Sequence, residues 1–451
     1  MTWPDTFEGG DLGDGRPATA TDRPHDLQGL RQVVADRVAQ KLAIYPQGGC
    51  SALDYGGTPR TPGVAVDTRA LNRVIDYPAA DMTVTVEAGI TLSALREVLA
   101  KENQRLLIDA PYADQATLGA IYATNTSGPR RFGAGRPRDQ ILGVGFVTSD
   151  GELVRGGGRV VKNVAGYDFP RLLTGSMGTL GVIAEMTLKV RPRPEASVLV
   201  WARYKDTESL GLALEQLNTS ATRPIAVELL NPFAANVVLG KIDLSAVLYG
   251  ADVKRSEIPQ GTHEWALVVG FEDNAASVSW QIDQLRKELR GQDLSTIEGA
   301  EAEPRWQALT GFQEMKLGPV TIVVNSKPSS VSRIAGSLNP DDWAIQAHAG
   351  SGIMRAHRID SSVNQGTNYV WSLEDSADSM PPESLVQEID RIRTVAVQDG
   401  GNLILSRCPT SWKGRLRVWG EPRHDWSISE RVKQALDPLG VMNPGRFVGN
   451  I

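Results

Sequence analysis

The 451-residue chain has only two cysteines, Cys50 and Cys408. Two thiols cannot build a disulfide framework or the four-cysteine cradle of an iron–sulfur cluster, so a reducing, cytoplasmic setting is expected. Its five histidines, at 25, 263, 348, 357 and 424, form no HExxH pair and no zinc-type spacing with the cysteines, and no metal is expected. No apolar run approaches the roughly 20 residues of a membrane-crossing helix. The start, MTWPDTFEGGDLGDG, lacks the basic and apolar parts of a signal peptide. GxGxxG, GxxxxGK and GxSxG are also missing, which lowers Rossmann, P-loop and hydrolase readings. A formal charge of −6 argues against a dedicated nucleic-acid binder. Four arginines nevertheless cluster at 130, 131, 136 and 138, either as a solvated loop or facing an anionic ligand or partner subunit.

Hydrophobic residues make up 41% and charged residues 22% of the chain, a globular balance, and the length calls for two or more cores. Residues 1–24 are rich in Gly, Pro, Asp and Thr without periodicity and read as a loosely ordered leader. From residue 25 helix and strand patterns alternate: Leu27 to Gln40 helical, Val64 to Asp67 and Thr83 to Glu87 extended, and Leu92, Leu95 and Leu99 on one helix stripe. Asp150-Gly151 marks a hairpin, and Val182 to Val190 alternates as a half-buried strand. The run Arg-Pro-Arg-Pro at 191–194 ends the first domain, because proline cannot continue a central strand. Beyond it, extended segments near 197–204, 225–230, 265–271, 320–324 and 403–405 and helix stripes around 210–217, 278–289 and 385–396 predict an antiparallel sheet covered by helices. Ala251 to His263 reads as a loop. The last helix is expected to open on a capping box of Ser427 and Glu430 and to stop at Asp437 before Pro438.

Three glycine-punctuated segments offer chemistry. YPQGGCSAL, residues 45–53, places consecutive backbone amides where glycines 48 and 49 permit an anion nest, with Ser51 as an added donor. TLGA at 117–120 and NTSGPRRF at 125–132 form a second candidate, and a surface loop with turn residues is the alternative. KNVAGYDFPRLLTGSMGTLGVI, residues 162–183, is the third. Its glycines at 175, 178 and 181 allow close backbone approach, while Ser176 and Thr179 add hydroxyls in little space. Small side chains with no Walker lysine leave room for a flavin ring rather than a nucleoside triphosphate.

GGCS at 48–51, DQATLGA at 114–120, SGPRR at 127–131, KNVAGYD at 162–168, GSMGTLGVIAEMTLKVRPRP at 175–194 and DPLGVMNPGRF at 437–447 together resemble the vanillyl-alcohol oxidase or PCMH superfamily. Within it the wording is most similar to the FAD-binding E-subunit family of glycolate oxidase (glycolate dehydrogenase). The resemblance implies an α+β fold: a PCMH-type FAD-binding domain of two α+β subdomains over 25–194, a second α+β domain with a helix-covered antiparallel sheet over 195–425, and a helix and tail, 426–451, returning to the FAD domain. It implies FAD with Pro46, Gln47, Gly48, Gly49, Cys50 and Ser51 around the pyrophosphate, Gln47 standing where relatives carry the first glycine. Thr117, Leu118, Gly119, Ser127, Gly128 and Arg131 would line the flavin face and pyrophosphate. Gly175, Ser176, Gly178, Thr179, Gly181, Val182 and Ile183 would follow the ribityl and adenosine parts. Asn443 and Arg446 would reach the isoalloxazine edge. Cys50 stands where some superfamily members carry a flavin-bonding histidine. As a small buried thiol it is expected to leave the FAD non-covalent.

Oxidation of a 2-hydroxy acid by flavin needs a base for the hydroxyl proton and a cation for the carboxylate. HAGSGIMRAHR, residues 348–358, offers His348, Arg355 and His357 on an expected hairpin, with structural histidines as the alternative. This segment departs from the shorter-gapped histidine pair and Asp-Gly-Asn core of metal-assisted relatives. The resemblance implies glycolate oxidation in a complex with a second flavoprotein subunit and an iron–sulfur subunit, membrane-associated only through those partners. A self-sufficient dehydrogenase for another hydroxy acid such as D-lactate and a non-catalytic scaffold are the other readings.

Overall fold

A computed structural model describes residues 10–159, 166–243, 264–359 and 380–451. The expected loop at 251–263 and Lys162 to Ala165 of KNVAGYD lie outside the described residues. The chain forms two compact units. One comprises Met1–Ser127, Gly135–Arg193 and Glu421–Ile451, the other Gly128–Ala134 and Pro194–Gly420.

In the first unit, strands Ala20–Asp22 (β1), Ala43–Gln47 (β2) and Gly63–Asp67 (β3) form a parallel sheet in the order β1-β3-β2. The helix Leu27–Ala39 precedes β2. Asp26 caps it by accepting from the Gly29 amide at 2.7 Å, and its apolar stripe buries Leu30 and Val34. Val74–Asp76 (β4), Thr83–Glu87 (β5), Ile141–Val147 (β7), Leu153–Gly157 (β8) and Val182–Lys189 (β9) make an antiparallel sheet in the order β4-β5-β9-β7-β8. Gln104–Arg105 (β6) pairs with Arg191–Pro192 (β10) as a separate two-residue ladder. The proline run thus forms a short edge pairing just before the unit ends. The hairpin turns at Asp150-Gly151, where Gly151 takes a φ of 79°, as a tight turn requires.

Two expectations change here. The leader is built into the unit from residue 10 onward: Ala20 to Asp22 pairs with β3 and Leu12 is buried. A glycine-rich stretch without periodicity can still add a strand when a sheet edge is open to it. The capping box does not form either, since the helix Trp426–Leu436 begins a residue before Ser427, whose hydroxyl donates to the His424 carbonyl at 3.0 Å. Asp437 closes that helix as expected.

In the second unit, Ala196–Tyr204 (β11), Ala226–Leu230 (β12), Trp265–Asp273 (β13), Leu294–Glu298 (β14), Thr321–Asn325 (β15), Trp343–His348 (β16), Ile353–Arg358 (β17) and Asn402–Arg407 (β18) form one antiparallel sheet. Its order is β14-β11-β13-β12-β16-β17-β15-β18. Both faces are covered, so β11 is apolar on both sides. Val198, Val200 and Ala202 join a core with the helices Thr207–Leu217, Ala275–Glu288 and Glu383–Gln398. Leu199 and Trp201 join another with Pro232–Val238 and Ala302–Gly311.

Candidate functional site

β2 ends at Gln47, and the chain then turns through Gly48 to Leu53 along the wall of a cleft in the first unit. Among the described residues, the backbone N–H groups of Gly48, Gly49, Cys50 and Ser51 donate to no protein acceptor. Amides left unpaired in this way need an outside partner, and successive ones form an anion-binding concavity.

The glycines are required by what stands behind them. A Cβ on Gly48 would run into the Thr117 hydroxyl, and one on Gly49 into the backbone carbonyl of Gln115. Thr117 itself is buried and caps the helix Leu118–Thr124 by accepting from the Ala120 amide at 3.4 Å. It therefore backs the loop and does not line the cleft. Cys50 adopts a φ of 58°, and burial pushes its thiol up to about 11. The Gln47 side chain turns away and donates to the Asp11 carbonyl at 2.5 Å, while the Gln47 backbone carbonyl accepts from the Thr68 amide and hydroxyl, both at 2.9 Å.

The facing wall is the turn into β9. Met177 and Gly178 have φ values of 56° and 71°, and Gly178, Gly181, Val182 and Ile183 line the cleft with Gly119. Thr179 spends its hydroxyl on the Ser176 carbonyl at 2.6 Å, whereas the Ser176 hydroxyl is buried without a partner. Gly175, at a φ of 84°, donates its amide to the Tyr122 carbonyl at 2.9 Å.

The C-terminal tail is locked against this turn. Lys433 Nζ donates to the carbonyls of Thr179 and Met442, each at 2.7 Å, and pairs with the fully buried Asp437 at 2.6 Å. Asp437 also accepts from the Val441 and Met442 amides at 3.2 and 2.8 Å. Burial lowers the Lys433 ammonium below its ordinary range, and Asp437 opposes that. So held, Asn443 donates to the Met177 carbonyl at 2.5 Å and lines the cleft. Arg446 also lines it, but its guanidinium donates to Asp14 at 2.9 Å and to the Gly57 carbonyl at 2.7 Å, a structural strut.

Of the residues singled out from sequence, Pro46, Gln47, Gly48, Cys50, Ser51, Gly119, Gly178, Gly181, Val182, Ile183, Asn443 and Arg446 meet in this cleft. Leu118 does not, being fully buried in the apolar core. Ser127 closes a stretch of the first unit, while Gly128 and Arg131 belong to the second. There the neighbouring Arg130 is paired with buried Glu272 at 2.9 Å and stacked over Trp306 at 3.9 Å, so this arginine holds its own unit together. Leu12 and Thr68 also line the cleft and carry no local sequence signal, whereas Tyr45 and Met177, which line it too, fall inside two of the glycine-punctuated segments. Leu12 could not be found from a segment read as a leader.

In the second unit His348 and His357 are buried on β16 and β17. His348 Nδ1 bonds both oxygens of buried Glu228, at 2.8 and 2.9 Å. His357 shares a 2.9 Å hydrogen bond between Nδ1 and the Thr321 hydroxyl and meets Phe312 edge-on. Burial, with Arg407 and Arg355 nearby, drives His357 well below the ordinary histidine range. Arg355 donates from Nη2 to Gln313 at 3.3 Å, and its Nη1 is buried without a partner. Among the described residues no helix is long and apolar enough to cross a membrane, and no group of three or more His, Cys, Asp or Glu is arranged for a metal ion.

Residues 18–157 match the family model of the FAD binding domain, and residues 193–331 match that of the C-terminal domain of FAD linked oxidases. The glycolate oxidase subunit GlcE of Escherichia coli K12 is 37% identical over 172 residues, which are 38% of this chain and about half, 49%, of that protein. A D-2-hydroxyglutarate dehydrogenase of Xanthomonas citri pv. viticola is 33% identical over 449 residues, 94% of this chain and 88% of that protein. Among solved structures, an alkyldihydroxyacetonephosphate synthase superposes with a TM-score of 0.63 at 16% identity, over 94% of this chain and 75% of that one, a likeness of fold. The unpaired amides suit the pyrophosphate of a dinucleotide, and with these matches the chain belongs to the FAD-linked oxidases, an FAD-linked oxidoreductase whose FAD-binding domain is followed by the family's oxidase C-terminal domain.

Proposed function

We propose that this chain oxidises a 2-hydroxy acid to the 2-oxo acid with FAD held in the cleft of its first unit. The run of unpaired amides from Gly48 to Ser51 carries this reading, as the donor set for the FAD pyrophosphate. Pro46 to Ser51 wraps that group, with Gly49 and Thr117 as its support. Gly119, Gly178, Gly181, Val182 and Ile183 flank the rest of the cofactor, and Asn443 closes the cleft. Bound FAD supplies a two-electron acceptor for the C2 hydride. The 2-hydroxy acid class is supported by relatives named for glycolate and D-2-hydroxyglutarate.

In this reading the chain works as the FAD-binding subunit of a glycolate oxidase-type complex and passes electrons to a partner, a second flavoprotein or an iron–sulfur subunit. The similarity to the E. coli glycolate oxidase subunit supports that role. Similarity to a hydroxy-acid dehydrogenase along nearly the whole chain supports a second one, turnover without partners. Anaerobic addition of glycolate, D-lactate or D-2-hydroxyglutarate to the purified yellow protein tests the reaction, which predicts bleaching of the flavin band. A colourless protein that takes up no FAD refutes it. Steady turnover by the isolated chain with an artificial acceptor selects the second role, and bleaching that turns over only with co-purified partners selects the first.

A further inference from the structure

Residues 10–18 run ahead of β1 and fold back on themselves as a narrow hairpin. Asp11 bridges Pro17, the Leu12 amide donates to the Arg16 carbonyl at 2.8 Å, and Gly13, Asp14 and Gly15 turn with φ values of 107°, 60° and 71°. This hairpin is fastened to the loop of the cleft on both sides of its unpaired amides. Ahead of them the Asp11 carbonyl accepts from Gln47 Nε2. Beyond them the Asp14 amide donates to the Asp54 carboxylate at 3.1 Å, and Arg16 Nη1 to the Pro59 carbonyl at 2.5 Å. A Cβ on Gly13 would run into the Leu53 carbonyl and the Arg446 guanidinium, so the approach is one that only glycine permits.

One large apolar side chain anchors the hairpin. Leu12 is buried with Ala43, Tyr45 and Ala65 in a small cluster apart from the larger cores of the unit, and it also lines the cleft. The other fastening is charged. Asp14 and Arg446 pair at 2.9 Å with side chains only 1% and 4% exposed, and Arg446 donates as well to the Gly57 carbonyl at 2.7 Å. A buried ion pair resists the loss of one partner strongly, because the other charge is then stranded. When both charges return to water together, regained hydration offsets much of the lost attraction. A segment with few apolar contacts and such a lock opens at lower cost than the unit unfolds.

We propose that residues 10–18 are a strap that latches FAD into the first unit. Closed on the Asp14–Arg446 pair, the strap fixes residues 48–51 from both flanks and completes the cleft wall with Leu12. Open, it releases the loop and that part of the wall together, and the cofactor loads or leaves. The inference rests on the reading that FAD occupies this cleft. A ligand that binds an ordered loop better than a loose one orders it in turn, so FAD binding and strap closure favour one another by the same factor. Asp14 is a positioning residue in this device and acts on the cofactor through the loop and the tail.

The test measures release of FAD from the full chain into an excess of a second apoflavoprotein, and hydrogen exchange at residues 10–18 with FAD bound and removed. Asp14→Asn is expected to speed release about tenfold, an ordinary size for coupling between two events. Asp14→Asn with Arg446→Gln strands no charge, and it is expected to recover the denaturation midpoint yet keep the fast release, a combination that lost stability alone does not give. In wild type, removal of FAD is expected to raise exchange at residues 10–18 more than in β7 and β9, and this measurement decides the matter if the single variant fails to fold. Wild-type release in both variants, or exchange at residues 10–18 that FAD leaves unchanged, overturns the strap. A wild-type protein that takes up no FAD removes instead the cleft assignment on which it rests.

Discussion

The cleft of the first unit and the polar sheet face of the second are built from different materials. The cleft offers backbone: unpaired amides at 48–51, positive φ at Cys50, Met177 and Gly178, and glycines packed against Thr117 and Gln115. The sheet face offers side chains, Glu228, Gln346, His348 and Arg355, brought together by strand register. Backbone donors suit a phosphate group because they are fixed in place and keep their dipole at any pH. Titratable side chains answer to pH because they can change state. The division predicts that changes to each region fail in different ways.

Gly49→Ala is the sharpest probe of the first material. The new Cβ meets the Gln115 carbonyl, a backbone group with no rotamer to give way. Complete loss of FAD retention is expected while the second unit keeps its fold. A yellow Gly49→Ala protein with full flavin stoichiometry would remove the backbone cradle from the argument.

Lys433→Met comes next. It leaves Asp437 buried without its cation, a loss of about 3–5 kcal/mol for a broken buried pair, and frees the turn at Thr179 from the tail. Unfolding of the first unit at lower denaturant, with weaker FAD binding, is expected. Lys433→Met with Asp437→Asn should recover part of the stability, since no charge is then stranded. An unchanged denaturation midpoint in the single variant would show that the lock contributes nothing.

The second unit should instead respond to pH. His357 is held neutral by burial, so its folded value lies below the ordinary one near about 6.5. Its stabilising contribution is present above that pH and is lost as pH falls below it, because the unfolded chain then binds a proton that the fold refuses. The slope is at most about 1.4 kcal/mol per pH unit. Thermal unfolding between pH 7.5 and 5.5, about one unit either side, should show it, and His357→Gln should flatten it. An equal slope in that variant would assign the effect elsewhere.

The smallest effect is expected at Cys50. With its thiol raised to about 11 by burial, little thiolate exists near neutrality. Acid precipitation should release the flavin into the supernatant, and Cys50→Ala should retain FAD as wild type does. Flavin that stays in the pellet would establish a covalent bond.

Much of the fold could be read directly from the chain. The alternation at 83–87 and 182–189, the stripe of Leu92, Leu95 and Leu99, and the hairpin at Asp150-Gly151 are all present, because each reflects a period of two, a helical period or a turn conformation within a few residues. Ser427 shows the limit. Ser-x-x-Glu is a local signature, yet the helix starts a residue earlier and the hydroxyl finds the His424 carbonyl instead. Strand β1 shows another, since pairing with β3 depends on an open sheet edge more than on the composition of the segment that fills it.

The sequence by itself determined where the backbone is free to bend: glycine spacing marked the loops of the cleft because conformational freedom belongs to each residue. Only the tertiary structure decided which groups in those loops remain unpaired, that Thr117 stands behind Gly48, and that Leu118 belongs to the core. It alone paired Glu228 with His348, 120 residues apart, and tied Lys433 to Thr179, 254 residues away. A hydrogen bond depends on two partners meeting in space, and register between distant strands is not written in either strand alone.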